Sequence, residues 1–161
     1  MLKFLKKELI LSLALTMGLG ACAKIPEAPL SPSVKIAVEK KDNDNIFAVN
    51  FSCGLKNEND STAFTDINGL IEIKNSTGIT VLAVPFKHAA ILPFETGIIQ
   101  EKIYLTADQA APLFDLLSIK KEQIESGEDQ GNRFIDDQNV VMKKLELNKT
   151  DIIELLRSKL K

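Results

Sequence analysis

The chain has 161 residues, with 20 basic and 22 acidic side chains, one histidine and two cysteines. That length suits one domain with a proper core. The slightly acidic, interspersed charge excludes the basic face that nucleic acid requires, and two cysteines do not make a disulfide scaffold.

Lys3, Lys6 and Lys7 form a positive leader, residues 9–19 are an uncharged apolar run, and small Gly20 and Ala21 follow. This is the layout of a secretory signal. The run is shorter than the roughly 20 residues needed to span a bilayer. Leu19-Gly20-Ala21-Cys22 resembles a bacterial lipobox. The resemblance implies cleavage between Ala21 and Cys22, a thioether-linked diacylglycerol on the Cys22 thiol, and acylation of the new N-terminus. Several acyl chains would give firm membrane attachment. Ala23 stands where an inner-membrane retention signal would place Asp, so the resemblance implies an outer-membrane location facing the periplasm. Loss of residues 1–21 removes 3 of the 20 basic groups and 1 of the 22 acidic ones, leaving a net charge of −4. Attraction to anionic head groups is therefore not expected.

Residues 22–33, with the lipidated Cys22 and Pro26, Pro29 and Pro32, read as a semi-rigid tether. The domain is expected over 34–161. Val34, Ile36 and Val38 alternate with polar or small residues, and the polar run 40–45 signals a turn. Residues 46–56 place Phe47, Val49, Phe51, Cys53 and Leu55 on one face, a strong strand signature. Ile67, Gly69, Ile71 and Ile73 share a face of the next strand. After the turn at Asn75-Ser76-Thr77-Gly78, residues 79–86 are apolar on both faces. Residues 97–106 make another strand.

The period then changes. Leu113, Phe114, Leu116 and Leu117 predict a helix from about Asp108 with Pro112 in its first turn. Residues 120–139 are polar and read as an exposed helix end and loop, and 140–147 as a last strand. Asn148 is placed to cap a terminal helix whose Ile152, Leu155, Leu156 and Leu160 form a stripe expected to pack on the domain. Strands with short turns followed by helix predict a mainly β fold, an antiparallel β-sandwich with one or two added helices.

The runs FAVNFSCGLKNEND, INGLIEIKNSTGITVLAVPF and ILPFETGIIQEKIYLT together resemble the late-embryogenesis-abundant type 2 family, the water-stress and hypersensitive-response domain. Leu55-Lys56-Asn57-Glu58-Asn59 sits where that family usually shows Asn-Pro-Asn, without the proline. Ile91-Leu92-Pro93 and Gly97 match its later turn. The resemblance covers roughly residues 34–118 and implies an immunoglobulin-like or fibronectin III-like sandwich, a link to stress, and no catalytic residues.

Candidate chemistry is sparse. Cys53 lies on the apolar face of its strand and reads as a small core side chain. His88 is the single histidine, short of the ligands for zinc and of the partners for a catalytic triad, and is expected in a surface turn. The pairs Asp136/Asp137 and Glu128/Asp129 lack the alternating oxygens of a calcium loop and read as solvated charge. No glycine-rich phosphate loop is present. Glu146-Leu147-Asn148-Lys149-Thr150 fits an acidic-x-Asn-x-Thr glycosylation pattern, in competition with capping by Asn148. The expected function is that of a lipid-anchored envelope lipoprotein. It would act as a non-catalytic binding or structural module, without cofactor or metal, for an envelope protein or peptide. The alternative is a carrier of a small apolar ligand or lipid between sheet and helix.

Overall fold

The computed structural model describes residues 30–41 and 45–160. The signal-like segment, the Ala21/Cys22 junction, Pro26 and Pro29 lie outside the described residues. The alternating strands pair as their apolar faces require. β1 (Leu30–Lys41) and β2 (Ile46–Asn57) form a hairpin in which Val34, Ile36 and Val38 stand opposite Cys53, Phe51 and Val49. β5 (Thr96–Thr106) takes the other edge of β2, and the two-residue β6 (Arg133–Phe134) pairs with β1. This sheet has the order β5-β2-β1-β6.

The second sheet centres on β3 (Thr62–Lys74), flanked by β4 (Thr80–Ile91) and β7 (Val140–Asp151), all antiparallel. Phe47, Val49, Phe51, Cys53 and Leu55 of the first sheet meet Phe64, Ile67, Ile71 and Ile73 of the second in one core. The fold is a β-sandwich with three added helices among the described residues, one more than predicted. At Gly69 the absent side chain makes room for the Phe86 ring opposite. A Cβ there would collide with the Phe86 ring and stand 2.8 Å from the Lys144 carbonyl oxygen.

The expected tether ends earlier than position 33. β1 begins at Leu30, which is fully buried, and Pro32 pairs with Leu55. Proline is tolerated near the start of a strand, so a proline-rich composition did not exclude one here. β3 likewise starts ahead of Ile67, because Asp66 adopts φ +50° at a register shift that hides the alternation.

One end of the sandwich is closed by helices. α1 (Ala107–Leu117) is capped by Thr106, whose hydroxyl accepts from Gln109 N while its own amide donates to Gln109 Oε1. Pro112 is therefore the sixth helical residue, not part of the first turn as predicted. Ala110, Leu113, Phe114 and Leu117 are buried, and the Phe114 ring meets Phe47 edge-on at 5.0 Å. α2 (Lys121–Ser126) follows, and Ile119, Ile124 and Ile135 are buried, so residues 120–139 are not the exposed loop expected. Ile124 and Ile135 within this polar stretch, and Ile119 just ahead of it, are enough to pin it, though too few to show a period.

β7 continues through residue 151, so Asn148 lies within a strand and does not cap a helix. The cap of α3 (Ile152–Lys159) is Asp151, whose carboxylate accepts from Ile153 N at 2.8 Å and Glu154 N at 3.3 Å. No residue of α3 is buried, which overturns the expectation that its apolar stripe packs on the sandwich.

Candidate interaction surface

The sequence-derived candidates that fall within the described residues have definite places. Cys53 is a free thiol with no solvent exposure, and burial pushes its pKa up to about 11. At neutral pH it is a thiol inside a core, without the thiolate character a nucleophile needs. His88 is in β4 opposite Ile67, not in a turn, and its Nδ1 is buried without a hydrogen-bond partner among the described residues. Asp129 is tied to Arg133 at 2.6 Å and accepts from Gly131 N at 2.8 Å. The Gly131 amide is the main reason its pKa is lowered. Asp136 and Asp137 are exposed around a short 3-10 turn, and Asn148 donates to Asp66 Oδ2 at 2.8 Å. Among the described residues no three His, Cys, Asp or Glu side chains gather as a metal site.

The sequence reading missed a second pattern, built on Asn57. This side chain is fully buried at the end of β2. Its Nδ2 donates to the carbonyls of Thr62 at 2.8 Å, Ile91 at 3.2 Å and Leu92 at 3.1 Å, while Oδ1 accepts from Asn59 N at 3.0 Å. Asn57 N also donates to Glu95 O at 2.9 Å. One asparagine thus joins the β2–β3 loop to the β4–β5 turn. The asparagine-rich stretch after Leu55 was the available signal, though its long-range acceptors are invisible in a linear sequence.

The β4–β5 turn, Leu92-Pro93-Phe94-Glu95, closes with Glu95 N on Leu92 O at 3.1 Å and Leu92 N on Glu95 Oε2 at 2.8 Å. Proline at its second position fits, but the third, at φ +61°, is where glycine or asparagine is favoured. The residue there is Phe94, which is 68% exposed. A strained, exposed aromatic is a functional pointer because neither packing nor turn geometry explains it.

Clefts lie at the other end. One of about 840 Å³, between α1 and the β3–β4 turn, is lined by Lys74, Asn75, Asp108, Asp115 and Asn139 among others. Another, of about 570 Å³, runs between β1 and α2 past Glu39, Lys40, Asn50 and Glu125. Their walls are mixed, Asp108, Asp115 and Asn139 beside Pro112 and Leu116 in the first, and Glu39 and Asn50 beside Val38 and Ile124 in the second. A third cleft, of about 450 Å³, lies over Gly69, Pro85 and Phe86 and is mainly apolar. No helix of the described residues is long and apolar enough to cross a membrane. Comparison of the chain with protein-family models, with curated proteins and with solved structures finds no match.

Proposed function

We propose that this chain is a lipid-anchored envelope lipoprotein, held through acylated Cys22 in the outer membrane on its periplasmic side, whose β-sandwich is a non-catalytic binding or structural module. The observation that carries the reading is the ordered sequence from Lys3 through the apolar run to Leu19-Gly20-Ala21-Cys22. The rest of the molecule agrees with a module. The inner sheet faces fill one another, the Cys53 thiol is enclosed, and the clefts are open surface features. A carrier of apolar ligands wants an enclosed apolar cavity of roughly 300 Å³ or more, and has less support because the mainly apolar cleft of about 450 Å³ over Gly69, Pro85 and Phe86 is open to solvent.

The test is expression of the full chain in a bacterial host. The intact mass should show diacylglycerol on a chain starting at Cys22, and Cys22→Ser should move the protein to the soluble fraction. Membrane partition unchanged by Cys22→Ser, with no acyl group in the mass, would sink the anchor. Crosslinking of the anchored protein in its envelope should capture a discrete peptide or protein partner. Co-purification of a stoichiometric lipid instead would favour the carrier.

A further inference from the structure

Exposed apolar side chains are unevenly placed on the described surface. Of the ten large apolar side chains that stand exposed among the described residues, six (Leu92, Phe94, Ile153, Leu155, Leu156 and Leu160) belong to the β4–β5 turn or the α3 segment, while Ile98 and Tyr104 lie in β5 and Ile79 and Phe134 stand singly elsewhere. Strand register puts these segments at one end of the sandwich. Leu30 pairs with Asn57 and Thr62 with Asp151, while Phe64 pairs with Ile91 and Lys56 with Thr96. The first α3 amide, Ile152 N, donates to Ser61 O at 2.8 Å, so the helix starts against the β2–β3 loop that Asn57 organises. At the helical repeat, Ile152, Ile153, Leu156 and Leu160 fall within an arc of about 100°, with Arg157 and Lys159 flanking its two edges and Glu154 and Ser158 on the far side.

The chain enters the fold at this same end, because Leu30 opens β1. Cys22 precedes Leu30 by eight residues, a reach of at most about 29 Å. An acylated Cys22 therefore keeps a bilayer within that distance of Phe94 and α3. We propose that the Leu30 end of the sandwich docks on the lipid surface. In this arrangement α3 lies in the boundary between head groups and acyl chains, and Phe94 and Leu92 enter beside it. The proposal rests on the Cys22 anchor proposed above. Tethering makes the contact intramolecular, so a small apolar face suffices where it would be weak for a free protein. The charges nearby are mixed, Lys56, Arg157 and Lys159 against Glu58, Asp60, Glu95 and Glu154. The contact is accordingly apolar and insensitive to salt and anionic lipid. Docking this way turns the α1 end, with its clefts, away from the membrane toward a partner.

The test uses the full acylated chain in phosphatidylcholine–phosphatidylethanolamine vesicles. An environment-sensitive thiol dye is placed at Leu156→Cys, at Ser158→Cys, or at Ile79→Cys in the opposite β3–β4 turn. Buried Cys53 and thioether-linked Cys22 leave the new thiol as the reactive one. The Leu156→Cys dye should shift to the blue and be quenched by lipids with a nitroxide near the head group. The Ser158→Cys dye should be quenched less, and the Ile79→Cys dye should stay in water. Intact mass reads the anchor separately. An acylated chain whose Leu156→Cys dye remains in water overturns docking and leaves the anchor standing. Where intact mass shows no acyl group, Cys22→Ser is added so that the new thiol stays the reactive one, and a dye that then enters the bilayer upholds docking and removes the anchor. Absence of both sinks both. A Leu156→Cys dye shielded from soluble quenchers yet untouched by nitroxide lipids means that a second copy or residues 22–29 cover the face, which also overturns the proposal.

Discussion

The side-chain amide of Asn57 donates to the Ile91 carbonyl at 3.2 Å, linking β2 of one sheet to β4 of the other at a position with no solvent exposure. The same nitrogen also lies within hydrogen-bond distance of the Thr62 and Leu92 carbonyls, so it is a shared donor at a junction of two loops. Asn57→Ala strands buried carbonyls and should cost about 1–3 kcal/mol. Asn57→Asp should cost more, because it turns a carboxylate toward three carbonyl oxygens. Urea denaturation of the two variants against the parent measures both. An Asp variant as stable as the parent would show that the amide donors are not the tie.

Gly69 is held by space more than by backbone freedom. A methyl group there meets the Phe86 ring and the Lys144 carbonyl from opposite strands, and the backbone cannot retreat. Gly69→Ala should destabilise by about 1–3 kcal/mol through overpacking. Gly69→Ala combined with Phe86→Leu should recover part of the loss, a non-additivity that a double-mutant cycle would read.

The pH dependence follows from groups held in unequal protonation states. Glu39 is lowered by its hydrogen bond from Lys102, Glu72 by its hydrogen bond from Lys143, and Asp129 by the Gly131 amide. In acid the unfolded chain binds more protons at these carboxyls than the folded one does. Their contribution is present above the ordinary Glu value of 4.5 and disappears as pH falls through the folded values. In alkali the order reverses. The Cys53 thiol ionises near 9.0 when unfolded and at about 11 when folded, so stability declines as pH rises between them. Lys102, raised by Glu39, adds to the decline. Cys53→Ala should make the alkaline loss shallower without abolishing it. A chemical-denaturation series from pH 3 to pH 11 checks both limbs, and an unchanged alkaline slope would contradict the buried thiol.

Removing α3 should cost little. None of its side chains is buried, and its main ties to the fold are the Asp151 cap and the Ile152 N–Ser61 O bond. Truncation after Asp151 is expected to change stability by no more than about 1 kcal/mol, the scale of a lost surface element with one cap. Thermal unfolding of the truncated chain measures this. A collapse of cooperative unfolding would mean that α3 packs on the sandwich after all.

How much was legible depended on the length of each pattern. The 46–56 strand shows five apolar residues at period two, and both its position and its inward face were readable. Leu30 was not, because a single apolar residue among prolines carries no period until Asn57 stands opposite it. The start of α1 was readable in principle from Thr106-Ala107-Asp108-Gln109, whose first and last side chains form the capping box. For α3 the stripe was visible but its destination was not. Amphipathicity says that a face is apolar and leaves open whether protein or another surface covers it. The β4–β5 turn was expected from Leu92-Pro93 and Gly97, while the positive φ falls on Phe94, a residue type from which no sequence rule would infer it.

Phe94 separates fold from function in a single substitution. A non-glycine side chain in the left-handed region costs roughly 1–2 kcal/mol, and an exposed ring recovers little of it by packing. Asparagine accepts that conformation more readily, so Phe94→Asn should leave stability unchanged or raise it by up to about 1 kcal/mol. The strand register and the Glu95–Leu92 closure do not involve the ring and should persist. If the Leu30 end meets lipid, the same change removes the largest apolar group of the turn. The Leu156→Cys dye in acylated Phe94→Asn chains should then report a shallower helix and weaker quenching by head-group nitroxides, at equal or better thermal stability. Loss of stability on Phe94→Asn would make the ring a structural element of the turn. Unchanged quenching would mean that α3 alone holds the end to the membrane and that the strain at Phe94 serves something else.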